Sequence, residues 1–177
     1  MTRILALVPL FALAALLPGC GVGASPRAEI TRAALIADPA PALEAELVLV
    51  LSRDMLDALE QGIPLVLELA LEGHDSGAAL SVARTLKLRY LPLARRWQLI
   101  DGGGAERHFA RRAQLLAALD RVRVPLPAEW LALRDDGTFR LTLSLDTAAL
   151  PGPLRLPALL RRDWRFPSTT YAWHAAS

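Results

Sequence analysis

The sequence predicts a mostly β protein, an antiparallel β-sandwich of immunoglobulin-like shape with two or three short helices. Three observations predict it. Period-two hydrophobic alternation recurs in separate runs along the chain. Those runs arrive consecutively, divided by glycine- and proline-bearing turns. Helical patterns are few and short. Strands joined by turns rather than by crossover helices favour antiparallel sheets packed face to face.

Taken in order, a first strand is expected over residues 28–36, ended by Pro39 and Pro41. Residues 43–51 place Leu43, Ala45, Leu47, Leu49 and Leu51 on one face, with Glu44 and Glu46 on the other. Such alternation sets one face on a core and the other in water. Ser52 is a candidate N-cap for a helix over residues 53–61, with Asp54 in its first turn and Gly62 just past its end. These are the residue types that satisfy free backbone groups at helix termini. Its buried stripe would be Met55, Leu56 and Leu59.

Alternation resumes at Leu65, Leu67, Leu69 and Leu71, again at Leu80, Val82, Leu86, Leu88 and Tyr90, and last at Phe139, Leu141, Leu143 and Leu145. Residues 92–96 turn the strand over residues 80–91 into one over 97–100. Gly102, Gly103 and Gly104 then form a loop that lacks the lysine and hydroxyl residue of a phosphate loop. A second helix is expected over residues 110–121, with Ala113, Leu116 and Leu119 inward. Asp135, Asp136 and Gly137 read as a tight hairpin between strands 130–133 and 138–145. A third helical turn is expected over 157–162, opened by its proline.

The N-terminus carries a different message. Arg3 precedes an apolar run over residues 4–17, and Leu17, Pro18 and Gly19 lead into Cys20, the only cysteine of the chain. A basic n-region, a short apolar stretch and a small residue before a cysteine form a bacterial lipoprotein signal. The run falls short of the roughly 18–20 residues that span a bilayer. The organisation expected is therefore a signal peptide (1–19), a lipidated Cys20 with a flexible tether (20–27), and a single β-rich domain (28–177). Gly21 rather than Asp follows the cysteine, which favours the outer over the inner membrane. The expected location is the periplasmic face of the envelope, reached through acylated Cys20.

Composition narrows the function. The 20 basic and 18 acidic residues give a net charge of +2, and loss of Arg3 leaves +1. That is no footprint for nucleic acid. One cysteine permits no intrachain disulfide, so packing must supply the stability.

Beyond Leu145 the text becomes distinctive. Leu145-Asp146 is followed by Leu150-Pro151-Gly152-Pro153-Leu154-Arg155, then by Trp164, Phe166, Ser168 and Trp173. Leu56, Gly62-Ile63-Pro64-Leu65 and Leu88-Arg89-Tyr90 precede it. Together these segments resemble the DUF4390 family, exported proteobacterial proteins of unknown function. The resemblance implies export and supplies no catalytic residue. Where the family often has a histidine after the tyrosine of the middle strand, Leu91 stands here.

Pro151, Pro153 and Pro157 are expected to keep this block extended and held by side chains. Trp164, Phe166, Tyr171 and Trp173 would either close one end of the sandwich or form a partner surface. His74, His108 and His174 lack metal-ligand spacing. Ser168, His108 and Asp146 form a triad only if the fold assembles them, and no nucleophile motif surrounds the serine. Arg107, Arg111 and Arg112 could touch anionic lipid if they share a face. No enzyme activity, cofactor or metal is expected. The lead function is a non-enzymatic binding or accessory module, with an envelope protein as partner. The alternative is an amphiphile carrier with a void lined by Leu65, Leu67, Leu86 or Leu141, where a module would be packed solid.

Overall fold

The computed structural model describes residues 25–75, 77, 79–133 and 135–175, so the signal, Cys20 and most of the tether lie outside the described residues. The chain forms two antiparallel sheets. The smaller has the order β1–β2–β7, from β1 (Arg27–Ile36), β2 (Ala42–Val50) and β7 (Val122–Pro125). The larger has the order β6–β5–β4–β3–β8–β9. Its strands are β3 (Leu65–His74), β4 (Ala79–Leu91), β5 (Arg96–Asp101), β6 (Glu106–Phe109), β8 (Thr138–Leu145) and β9 (Thr169–His174). Three helices, α1 (Arg53–Glu60), α2 (Arg112–Ala117) and α3 (Gly152–Leu160), connect them. This is the mostly β sandwich the alternation predicts.

The leucine runs fill the space between the sheets. Leu43, Leu47, Leu65, Leu67, Leu69, Leu71, Leu86, Leu88, Leu141 and Leu143 are all fully buried. Each such side chain contributes roughly 1.5–3 kcal/mol of transfer free energy. The period decides the fold here, since leucine itself is a modest strand former. Register follows from it: Leu69 lies opposite Leu143 on one side and Arg84 on the other.

Several elements depart from the sequence reading. Ala128–Leu133 is a 3-10 helix, not a strand. Its three-residue repeat buries Trp130 and Leu133 together, and both press on β3 at Gly73. A Cβ at Gly73 would come within 2.8 Å of Leu133 Cδ1 and 2.9 Å of Trp130 Cζ3. The Asp135-Asp136-Gly137 turn therefore joins a helix to β8. In α2 the buried residue is Leu115, with Leu119 buried just past its end, while Ala113 is exposed. The larger side chain wins the buried position, and the helix is shorter than its pattern.

The proline block is a helix rather than extended chain. Pro151 is the N-cap of α3 and Pro153 falls in the first turn, where no backbone N–H is needed. Only Pro157 lies inside the helix. Strands β6, β7 and β9 escaped the sequence reading because each spans only four to six residues.

Candidate functional site

Most of the polar residues singled out by sequence are employed structurally. The Ser52 hydroxyl accepts the Met55 amide at 3.2 Å, as an N-cap should, and donates to the Asp163 carbonyl. The Asp146 carboxylate accepts the Ala148 and Ala149 amides at 2.9 and 3.2 Å. Arg155 reaches the Leu150 carbonyl at 2.8 Å. His108 sits on β6 beside Gln98 and Glu106, whereas Ser168 immediately precedes β9 at the opposite edge of the six-stranded sheet. Five strand spacings, about 24 Å, separate those edges. The imagined triad is not assembled.

His74 and His174 come to the same row across Thr138, with His174 Nδ1 3.3 Å from Thr138 Oγ1. Among the described residues no group of three or more histidine, cysteine or acidic side chains is placed to hold a metal.

The aromatic residues divide. Trp164 and Phe166 are 3% and 9% exposed and belong to the core, so they form no partner surface. Tyr171 and Trp173 are half-buried on the core-facing side of β9, where Trp173 stacks on Phe139 at 5.2 Å. The correction has a simple cause: β9 lies against β1 of the other sheet, and large rings seal that seam.

Two features missed by the sequence reading remain unabsorbed by packing. The first is a cleft of about 300 Å³, lined by Arg84, Leu86, Gly102, Gly103, Arg123 and Val124 among others. It lies between two strand edges that carry no ladder partner. Among the described residues β4 pairs with β5 only from Leu86 to Leu91, which leaves this edge without a partner from Ala79 to Thr85. β7 is the terminal strand of the smaller sheet. Arg84 occupies the core-facing phase of β4, between Val82 and Leu86. Its guanidinium donates to the neighbouring Ala83 carbonyl at 3.2 Å. No carboxylate among the described residues lies within ion-pair distance of Arg84 or Arg123. Gly102 suits this close approach, since a Cβ there would sit a tight 3.1 Å from the Thr85 amide and 3.2 Å from Arg84 Cδ. Asp101, also on the rim, spends one oxygen on the Gly103 and Ala105 amides. The sequence signal was present: Arg84 is the one charge in the even-numbered run from Leu80 to Tyr90.

The second feature is α3. Leu156, Leu159 and Leu160 are 63%, 59% and 68% exposed.

With the geometry in view, comparison with known families decides the membership. Residues 26–174 match the model described as a domain of unknown function, DUF4390. The chain belongs to this family. The match covers every strand and helix of the DUF4390 sandwich described above. No curated protein and no solved structure matches the chain significantly.

Proposed function

We propose that this DUF4390 chain is a non-enzymatic binding module of the cell envelope, held at a membrane through acylated Cys20. The lipoprotein signal in the sequence supports the location. The observation that carries the binding role is the open β4 edge beside a cleft in which Arg84 faces inward without a carboxylate partner. An exposed strand edge is a template for an added strand, and natural proteins usually blunt it. Here an extended segment of an envelope partner adds to β4 over residues 79–85, with a carboxylate meeting Arg84 and Arg123. Backbone bonds supply affinity and the arginines supply choice of partner.

One observation favours the carrier reading: Leu86 lines the cleft. Against it, Leu65, Leu67 and Leu141 are buried and do not line this cleft. A cleft of this size stands at the small end of ligand sites, roughly 300–1,000 Å³.

The test places a photo-crosslinking residue at Thr85 in cells, with Thr170 on the edge strand β9, three strand spacings or about 14 Å from β4, as the control. The expected result is one discrete protein adduct from Thr85, absent with Arg84→Leu, because a charged hydrogen bond is worth about 1.5–3 kcal/mol, roughly ten- to a hundredfold in affinity. Equal adducts from both positions, or none, overturn the reading. Tight decanoate binding to the purified chain, lost in Arg84→Leu, would put the carrier in its place.

A further inference from the structure

We infer that one end of the sandwich is a seat for an anionic bilayer surface, built from the leucine face of α3 and the tip of the β4–β5 hairpin. The inference rests on the envelope reading above for its setting, and on a separate part of the surface for its content. Leu156, Leu159 and Leu160 recur at the three- and four-residue spacing that puts side chains on one helix face, and all three are exposed. A contiguous exposed apolar face on a small domain marks a contact. At the hairpin tip Leu93 is fully exposed, at 105%.

Both features lie at the same end of the strands. Register fixes this: β3 begins at Leu65 opposite Leu88, near the end of β4, and Leu67 lies opposite Leu145 at the end of β8, from which α3 follows. The chain also enters the domain there. Arg27, the first residue of β1, pairs with Val50, two residues before Ser52, whose hydroxyl holds the Asp163 carbonyl just beyond α3. Arg161 confirms the proximity with its 3.2 Å contact to Asp54 on α1. Seven Cα–Cα steps, through six intervening residues, lead from Cys20 to Arg27. They reach at most about 25 Å when extended, so a lipid on Cys20 keeps this end close to the bilayer.

Charge selects the occupant. Arg162 and Arg165 follow the leucines of α3, and Arg95 and Arg96 follow Leu93; all four are exposed and none is in an ion pair. Acids at this end are Asp54 and Asp163, both engaged by Arg161, with Asp57 and Glu60 on α1 and Asp146 capping the Thr147–Ala149 turn. The opposite turns carry Asp75, Asp135 and Asp136 beside the His74–Thr138 row. Exposed leucines flanked in sequence by Arg95, Arg96, Arg162 and Arg165 suit acyl chains beneath anionic head groups.

The experiment reconstitutes the purified chain in phosphatidylethanolamine–phosphatidylglycerol vesicles containing a lipid with a photoactivatable acyl chain. Adducts are then mapped by mass spectrometry. Adducts at residues 92–94 and 154–161, and not at 79–85, are expected. They should fall in a Leu156→Ser, Leu159→Ser, Leu160→Ser variant, which changes only exposed side chains. Vesicle affinity should drop about fivefold for each of Arg162→Gln and Arg165→Gln, and neutral vesicles should lower the yield. Adducts spread evenly over the domain, or an unchanged map in the leucine variant, overturn the seat. Intact mass reads Cys20 separately. An acylated chain without adducts at this end loses the seat alone, and an unmodified chain with them loses the tether alone.

Discussion

At Ser52 a single hydroxyl accepts the Met55 amide and donates to the Asp163 carbonyl, tying the start of α1 to the segment after α3 across 111 residues of chain. Its side chain is buried, so neither bond can be replaced by water. Ser52→Ala should therefore cost about 2 kcal/mol, the upper range for a cap, as a lowered denaturant midpoint with unchanged slope. A cost below about 0.5 kcal/mol would mean that the Asp163 contact contributes nothing. Arg84 makes the opposite case at the same scale. It sits where the pattern of β4 calls for an apolar residue, so Arg84→Leu should leave stability intact or raise it while removing binding. A residue that breaks its own strand's pattern without a structural partner is kept in place by function more plausibly than by folding.

Among the elements, α2 shows which side chain governs a short helix. Leu115 is fully buried and Ala113 exposed. Leu115→Ala should cost about 2–5 kcal/mol, whereas Ala113→Ser should stay within about 0.5 kcal/mol in the same unfolding experiment. A reversal of that order would return the helix to the face its spacing suggests. The long strands β2, β3, β4 and β8 were legible because eight or more residues of alternation leave no other reading, and α1 because cap, first-turn acid and terminal glycine agree. The short elements were not. Val122–Pro125 and Glu106–Phe109 are too brief to show a period. Trp130 and Leu133 look like strand ends until Gly73 supplies the space they fill. In α3 the prolines suggested extended chain, yet two of them stand where a helix lacks donors to lose. Its leucines were visible in the text; only the fold shows that they lie exposed.

For the whole molecule, the sandwich is sealed along the β1–β9 seam by Tyr171, Trp173 and Phe139 and stays open between the edges of β4 and β7. The chain enters at the end that carries the exposed leucines. Among the described residues no helix is long and apolar enough to cross a membrane. The proposed envelope reading places the attachment at Cys20. The decisive measurement is the intact mass of the chain purified with detergent from membranes, beside a Cys20→Ser variant. A mass that begins at Cys20 with added acyl chains, lost in the variant, is the predicted result. An unmodified chain recovered from the soluble fraction would contradict it.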